Sequence, residues 1–572
     1  MQGTPLANGA EGRTIPDWNA IDWHKVEKTV SNLRRRIFRA SEEGDHRKVR
    51  SLQKLMLRSR ANALLSVRRV TQINVGKNTP GVDKLVVKTP KARGELVDHI
   101  RSYQPWRAKP ARRVYIPKSG GKLRPLGIPT ILDRVMQAIV KNALEPYWEA
   151  RFEPASYGFR PGRGCHDAIQ KIWSIARPNK RKKWILDADV EGAFDAIWHN
   201  KLLETIGPFP AREPIRQWLK AGYIEEGSWH ETETGVPQGS IIGPLLMNIA
   251  LHGMEDALGV RYNKKGEIVG SRALVRYADD GVVFCESRED AEAARRDLRE
   301  WLARRGLRLS EDKTRIVHLT EGFDFLGFNI RHYPAPKTSR SGWKLLIKPS
   351  KESVRKFKER LRREWMSLKG CNIRAVLKRL NPILHGWANY FRISASKETF
   401  ESIDDWMFKR CVRYVKFTHP NKGWRWCRSK YWGILHPKRK DQWVFGDKHS
   451  GGYLLKLSWT PIRRHVLVKG AASPDDPTLQ CYWASRQKRK VQGLPPRQQR
   501  LAHAQKGRCS HCGTSLFNGE ELQVHHLKGR ENPGSEEPQN LRLVHLYCHQ
   551  QIHAGRRKTL GCEATCLSRV RG

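Results

Sequence analysis

Two short acidic stretches of the chain have the residue types needed to bind divalent metal ions. The first, residues 187–195, has the sequence DADVEGAFD, and the second is Asp279-Asp280, followed by the apolar residues 282–284. Adjacent carboxylates repel each other, and a divalent cation offsets that repulsion. An isolated Asp-Asp pair is more often a solvated turn. Here the apolar flanks predict a β-hairpin with acidic residues at its tip, where paired ions could activate a hydroxyl for in-line displacement at phosphorus.

A second group of metal-binding residue types lies near the end of the sequence. Cys509 and Cys512 have CxxC spacing, and His545 and Cys548 repeat that spacing. Three thiolates and one imidazole suit a tetrahedral structural zinc ion, which would stabilise a segment too short to bury a large core. The first residues lack the charged-then-apolar order of a signal peptide, so metal binding is favoured over disulfides.

Histidines interleaved with that group resemble the HNH nucleases of the ββα-metal type. The relevant residues are His525, His526, Asn540, His549 and His553. The resemblance implies that the first and the last two histidines hold a divalent ion, with the last two on one helical face. It also implies that His526 deprotonates water and that Asn540 orients the backbone or the imidazole. Any one of these histidines alone would more often be structural.

The composition indicates a polyanionic partner. The 572 residues have a formal net charge of +50, which costs self-repulsion unless phosphates neutralise it. An anionic membrane is the rival partner, but there is no run of about 18 apolar residues, so no membrane association is expected. We therefore expect a protein of the bacterial or organellar cytoplasm that is not secreted and has two to four domains.

Hydrophobic spacing gives a coarse view of the elements. Residues 23–69 have helical periodicity, whereas the first 20 or so are predicted to be disordered. Residues 111–345 alternate short β-branched runs with helical segments. Helical periods return at 351–369 and 372–392, after which the pattern breaks into short pieces. The basic residues 486–490, followed by glycine and paired prolines, predict a charged linker.

Further sequence blocks resemble the reverse transcriptases encoded by group II introns. TPGVD at 79–83 and GWANYF at 386–391 resemble that family's N-terminal extension and its domain X. Six blocks near the acidic stretches follow the family's order: YIPK at 115–118, KLRPLGIP at 122–129, SYGFRPGRG at 156–164, TGVPQGS at 234–240, LSEDKT at 309–314 and FLGF at 325–328.

The resemblance assigns metal binding to three of the acidic residues. Asp189 aligns with the family's first metal-binding aspartate, and Asp279 and Asp280 align with the later pair. Together they would hold two magnesium ions. Asp187 is interpreted as a neighbour of the site and Asp195 as structural.

Substrate contacts are also implied by the resemblance. Lys118 and Arg124 would contact the triphosphate of a deoxynucleotide (dNTP). Phe194 would lie against the sugar and disfavour a 2′-hydroxyl, although a core phenylalanine is the alternative. Gln238 would lie beside the nascent base pair. Lys313 could protonate pyrophosphate, but a surface lysine is an equal alternative.

The fold class implied is a multidomain α+β protein with a right-hand polymerase of fingers and palm, an α-helical thumb and a small zinc-binding ββα-metal HNH module. Its function would be RNA-directed DNA polymerisation, assistance to intron splicing and nicking of target DNA for target-primed reverse transcription. Intron RNA and target DNA would be its partners, with the protein a monomer or homodimer. The alternatives are a splicing-only RNA-binding maturase and a domesticated reverse transcriptase.

The predicted domains are an N-terminal basic helical extension at 1–105, fingers and palm at 106–345, thumb or domain X at 346–420, a basic DNA-binding region with linker at 421–500, and the HNH endonuclease at 501–572.

Overall fold

The computed structural model describes residues 17–102, 106–117, 123–263, 266–336, 342–518, 520–528 and 537–553. Lys118, one of the predicted triphosphate contacts, lies outside these ranges. Within them, no helix has the length and apolar content that a membrane crossing requires. The architecture mixes helices with several separate sheets, as predicted for a multidomain α+β protein.

The N-terminal region is helical, and a side chain caps each of its helices. The caps Asp22, Asp45, Ser59 and Thr89 each accept a hydrogen bond from a first-turn N–H. Trp18 is buried in a short 3-10 turn, so the prediction of disorder is wrong for residues 17–20. The helices are α1 (Trp23–Glu42), α2 (His46–Arg58), α3 (Arg60–Arg68) and α4 (Pro90–Arg101).

The fingers and palm follow as strands and helices in alternation. They comprise β1 (Ala111–Pro117), β2 (Leu123–Ile128), α5 (Ile131–Glu149), α6 (Cys165–Ile175), β3 (Trp184–Glu191), α7 (Ala193–Ala196), α8 (His199–Ile206), α9 (Arg212–Lys220), β4 (Tyr223–Glu225), β5 (Ser228–His230), α10 (Gly243–Ala250), α11 (Met254–Ala257), β6 (Arg261–Tyr262), β7 (Ile268–Val269), β8 (Ala273–Tyr277), β9 (Asp280–Cys285), α12 (Arg288–Ala303), β10 (Arg308–Leu309), β11 (Arg315–His318), β12 (Phe323–Phe325), β13 (Phe328–Pro334) and β14 (Trp343–Pro349).

The central sheet has the strand order β10-β3-β9-β8, and β11 also pairs with β3. Successive side chains of a strand point to opposite faces, and here both faces are covered. Leu186 belongs to a hydrophobic cluster shared with the N-terminal helices, whereas Ile185 belongs to a second cluster shared with the helices that follow the palm. Burial on both faces explains why β9 is an almost continuous apolar run. A second sheet, β2-β1-β4-β5, forms the fingers.

The thumb and the basic region contain more helix than expected. The elements are α13 (Lys351–Ser367), α14 (Ile373–Phe391), α15 (Lys397–Thr418), α16 (Trp424–Tyr431), β15 (Trp432–Gly433), β16 (Val444–Asp447), β17 (Gly452–Tyr453) and α17 (Gln480–Lys490).

Two predictions for this region are wrong. The 22-residue α15 replaces the short pieces expected after residue 392, because Phe400, Ile403 and Met407 bury one continuous face. Residues 486–490 are the end of α17 and not a linker. Arg486 is tied to the palm through Asp167, whose Oδ1 accepts from its Nη2 at 3.1 Å.

The C-terminal module is a hairpin with helices on a small core. It contains α18 (Pro496–Ala504), β18 (Leu522–His526), β19 (Leu541–His545) and a helix over residues 546–553. Its hydrophobic cluster includes Val491, Leu501, Leu516 and Leu543. That cluster is much smaller than either cluster of the palm.

A buried arginine joins this module to the N-terminal helices. Arg68 is fully buried, with its guanidinium 4.5 Å from the ring centre of Trp23 and 5.5 Å from that of Tyr547. Its Nη2 donates to Oε1 of Glu520 at 2.6 Å. Asn19 adds two contacts, accepting from the Tyr547 hydroxyl and from Gln551 Nε2. The module is therefore docked on helices at the other end of the sequence.

Candidate metal centres

The register of the central sheet brings the predicted carboxylates together. Asp189 of β3 lies directly opposite Asp280 of β9, and directly paired residues have Cα atoms about 4.5–5.5 Å apart. Tyr277 pairs with Asp280, so the hairpin turn between β8 and β9 consists of Ala278 and Asp279. Residues that are distant in sequence thus meet at one end of the sheet, at the tip of the predicted hairpin.

The hairpin turn is held in an uncommon conformation. Ala278 has a φ of +58°, which costs a residue with a side chain about 1–2 kcal/mol. A Cβ added to Gly158 would lie 2.2 Å from the Ala278 nitrogen, so only glycine allows this approach. The buried Arg276 donates to the Ala278 carbonyl at 3.2 Å, and Asn248 Nδ2 donates to the Gly158 carbonyl at 2.9 Å. These contacts fix the direction in which Asp279 and Asp280 project.

The carboxylates of Asp189, Asp279 and Asp280 repel one another. Loss of hydration, followed by repulsion from Asp279 and Asp189, raises the pKa of Asp280 to about 6. Because Asp280 keeps contact with solvent, repulsion between the carboxylates matters more for this pKa than burial does. The Lys313 ammonium donates to Asp189 Oδ2 at 2.9 Å, and this hydrogen bond raises the pKa of Lys313. Oxygen donors of this kind suit a hard divalent cation such as Mg²⁺.

Lys313 lies beside β3 because the strands before and after it both pair with β3. Both β10 and β11 pair with β3, and the residues between them pass Asp189. The Ser310 N–H donates to the Asp189 carbonyl at 2.9 Å, which anchors this segment beside the carboxylate. Lys313 is therefore more than an isolated surface lysine, although its predicted role toward pyrophosphate remains a prediction.

A chain of hydrogen bonds connects the fingers with the palm. Arg124 Nε donates to Gln238 Oε1 at 2.8 Å, and Gln238 Nε2 donates to Asp195 Oδ2 at 3.0 Å. The Gly127 N–H also donates to the Gln238 carbonyl at 2.7 Å. Gln238 therefore fixes Arg124 of β2 relative to the residue that follows Phe194. Asp195 acts here as a structural acceptor, as interpreted from the sequence.

The predicted zinc ligands converge in the C-terminal module. Donor atoms of Cys509, Cys512, His545 and Cys548 all lie within 4.8 Å of one another. His545 Nδ1 is 3.4 Å from the Cys512 sulfur, while Nε2 lies 3.0 Å from the Ser515 carbonyl. A proton on Nε2 for that carbonyl leaves Nδ1 free of hydrogen and able to bind a metal. The donor set and the tautomer therefore fit zinc.

The predicted nuclease histidines form a second cluster. Ring nitrogens of His525, His549 and His553 lie within 4.8 Å of one another, and the Nε2 atoms of the last two are 3.3 Å apart. His526 is the next residue along β18. Asn540 accepts from the Lys528 N–H at 2.6 Å and, through its carbonyl, from the Leu527 N–H at 2.8 Å. Asn540 thus fixes the backbone directly after His526.

Comparison with known families matches four consecutive segments of the chain. Residues 18–100 match the N-terminal domain of reverse transcriptase, and residues 116–330 match the reverse transcriptase (RNA-dependent DNA polymerase) family. Residues 354–432 match the group II intron, maturase-specific domain, and residues 509–555 match the HNH endonuclease family.

Three similar proteins place these segments in one family. Protein YkfC of Escherichia coli is 37% identical over 320 residues, covering 49% of this chain and 82% of that protein. The group II intron-encoded protein LtrA of Lactococcus lactis is 31% identical, covering 41% of this chain and 49% of LtrA. The chain belongs to the group II intron-encoded reverse transcriptases. Maturase-like protein 1 of Euglena gracilis is 27% identical over 65% of this reverse transcriptase and 77% of that protein.

The family predicted from the motifs is thereby confirmed. The matched segments support reverse transcription, RNA splicing and endonuclease roles for this group II intron-encoded reverse transcriptase. The aligned part spans about half the length of LtrA and most of YkfC.

Phe159, an aromatic residue in contact with Phe194, was not identified as a site residue from the sequence. Phe194 is 8% exposed and meets Phe159 edge-on, with ring centres 6.4 Å apart. Phe159 is 49% exposed and has a φ of +59°. The contact of Phe194 with a sugar stays a prediction. Arg276, which holds the hairpin turn, was also missed, although a lone arginine inside an apolar strand is a signal that could have found it.

Proposed function

We propose that this group II intron-encoded reverse transcriptase polymerises DNA at Asp189, Asp279 and Asp280. The pairing of Asp189 with Asp280 across β3 and β9 is the observation that supports this site most directly. Bound magnesium ions would lower the pKa of the primer 3′-hydroxyl and offset charge on the departing pyrophosphate. The three carboxylates would hold the ions, and the turn at Ala278 fixes the position of Asp279 within the group.

Residues around the carboxylates position the incoming nucleotide. Arg124, fixed through Nε by Gln238, keeps its two terminal nitrogens for triphosphate oxygens. Lys313, whose ammonium donates to Asp189, would donate a proton to the departing pyrophosphate. Phe194, steadied by Phe159, would exclude a 2′-hydroxyl and so favour dNTPs. Lys118 is proposed as a further phosphate contact on sequence grounds alone.

The C-terminal module is proposed to nick the second strand of the DNA target. A divalent ion held by His525, His549 and His553 would supply Lewis-acid activation of a phosphodiester. His526 takes the proton from the attacking water, and Asn540 keeps the backbone of that histidine in place. Zinc on the four-ligand site maintains the module's fold. The 3′-hydroxyl released by the nick then serves as the primer.

Splicing assistance is proposed to depend on binding the intron RNA in a ribonucleoprotein. The net charge of +50 supports this, because neutralising phosphates releases counterions from the RNA. The predicted domain boundaries, a monomeric or homodimeric state and a cytoplasmic location belong to the same proposal.

The decisive experiment combines the purified protein with its cognate intron RNA, a duplex target, dNTPs and Mg²⁺. Cleavage and complementary DNA are scored in one reaction. His526→Ala should abolish cleavage, while extension of a pre-annealed primer on an RNA template continues. A wild-type protein that binds the RNA but extends no primer would favour the splicing-only maturase. Absence of an intron ribozyme in the flanking DNA would favour the domesticated enzyme.

A further inference from the structure

A cavity of about 1000 Å³ lies outside the candidate metal centres, between α14 and the segment 436–463. Residues 494–499 close one side. We call this cavity the thumb pocket. Its lining includes Gly386, Arg392, His436, Arg439, Tyr453 and Trp459.

One wall of the thumb pocket is aromatic. The ring centres of His436 and Trp459 are 4.8 Å apart, and those of Tyr453 and Trp459 are 6.0 Å apart. All three side chains are half-buried, so they combine a fixed position with access from the cavity. The Arg439 guanidinium lies 5.4 Å from the Trp459 ring centre. Such a wall can stack against any nucleobase, because every base has a π-face.

The thumb pocket is also strongly cationic. Arg392, Lys438, Arg439 and Arg463 line it, and among the lining residues that the structure describes there is no aspartate or glutamate. Burial and then repulsion from Arg463 lower the pKa of Arg392. Burial and then repulsion from Arg439 lower the pKa of His436. Cations that repel one another around an aromatic wall favour an anionic ligand with a flat ring.

A helical glycine leaves room for that ligand. Gly386 lies inside α14, where glycine is less favourable than alanine. A Cβ added there would meet no atom of the described chain within 4 Å. Packing within the protein therefore does not require glycine at this position, whereas close approach of a ligand to the helix would.

We propose that the thumb pocket binds an unpaired nucleotide of a single-stranded polynucleotide, with its base against Trp459 and Tyr453 and its phosphate against Arg392 and Arg439. The inference deepens the proposed function, on which it rests, by giving the basic middle of the chain a defined contact. RNA and DNA share the required chemistry, and the experiment distinguishes them.

The test maps the contact on the full-length protein. A short unstructured oligonucleotide with 4-thiouracil is photo-cross-linked at fixed, near-physiological salt, and the linked peptides are identified by mass spectrometry. Cross-links are expected at Tyr453 or Trp459. Trp459→Ala should weaken binding about tenfold, the scale of one base-stacking contact. Trp443→Ala is the matched control, because Trp443 does not line the thumb pocket, although its ring also lies near an arginine.

Gly386→Leu separates ligand exclusion from misfolding. Leucine favours a helix more than glycine does, so the melting temperature should stay at or above that of the wild type while oligonucleotide binding falls. Parallel ribose and deoxyribose oligonucleotides show which polymer is preferred. Unchanged binding in Trp459→Ala, or cross-links only at residues that do not line the thumb pocket, would overturn the proposal. Primer extension by the wild type is measured separately, so failure of the proposed polymerase function would show there.

Discussion

The candidate metal ligands of the palm and those of the C-terminal module are positioned in opposite ways. Asp189 and Asp280 come from distant segments and meet because a sheet buried on both faces sets their register. The C-terminal ligands all lie between residues 509 and 553, on a hairpin, a CxxC turn and one short helix around a small core. In the palm the fold positions the carboxylates, whereas in the module the proposed zinc ion would itself stabilise the fold. The same change, loss of one ligand, should therefore have different consequences in the two regions.

Removing a zinc ligand should produce the largest effect. Structural zinc contributes on the order of 10 kcal/mol to small modules, so Cys548→Ser should unfold the C-terminal module and abolish nicking. Primer extension should continue, because the palm has its own core. Zinc content by elemental mass spectrometry and limited proteolysis measure the change. Cys481→Ser is the control, since Cys481 is an exposed free thiol. Full zinc content and normal nicking in Cys548→Ser would show that the module's own core suffices.

Removing a palm carboxylate should leave the fold intact. Metal ions stabilise such transition states by several kcal/mol, so Asp279→Ala should lower primer extension about a thousandfold or more. The melting temperature should not fall, because a repelling charge disappears from beside Asp280. Asp312→Asn controls for loss of an acid on the same side of the palm. A matching fall in melting temperature would mean that the carboxylates also support the fold.

The sequence predicted both ligand sets because each set follows from residue type and local spacing. Acidic residues after apolar strands, and cysteines and histidines at metal-binding intervals, can be recognised without knowing which segments are adjacent. The hairpin with Asp279 in its turn and the four-ligand group around His545 lie where these patterns indicated.

The parts that were missed depend on contacts between distant segments. Gly158 and Arg276 support the turn between β8 and β9 only because residues 155–158 lie beside β8, which no local pattern reveals. The basic run at 486–490 has linker composition, yet an ion pair of Arg486 with Asp167 holds it against the palm. The contact of Arg68 with Glu520 likewise joins opposite ends of the sequence.

The buried ion pair of Arg68 with Glu520 can be compared with an exposed ion pair elsewhere in the chain. Arg68→Met leaves the buried Glu520 carboxylate without its cationic partner, which typically costs 3–5 kcal/mol. The expected result is faster hydrogen exchange in residues 546–553, where Tyr547 loses the stacked guanidinium. Arg355→Met is the matched control, because the pair of Arg355 with Glu352 is exposed and screened by solvent, so its loss should change stability little. Equal effects of the two changes would show that the module is not held by the buried pair. Adding Glu520→Gln to Arg68→Met should recover part of the loss.

The smallest predicted effect is that the stability of the palm and that of the C-terminal module change in opposite directions with pH. Burial, followed by repulsion from Glu153, raises the pKa of Glu255 in the palm to about 7. The folded palm therefore binds this proton more tightly than the unfolded chain does, and the resulting stability, up to about 3 kcal/mol, is lost as pH rises from about 4.5 through 7. Glu255→Gln should abolish that loss, so it should melt at a higher temperature than the wild type at pH 8 and at a similar temperature at pH 5.

The metal-loaded module should instead gain stability as pH rises, because its histidines and cysteines bind metal only when deprotonated. Thermal melts at pH 5 and pH 8 measure these changes in stability, and limited proteolysis reports on the palm and the module separately. If the stability of the palm and that of the module changed in the same direction with pH, the prediction would be wrong.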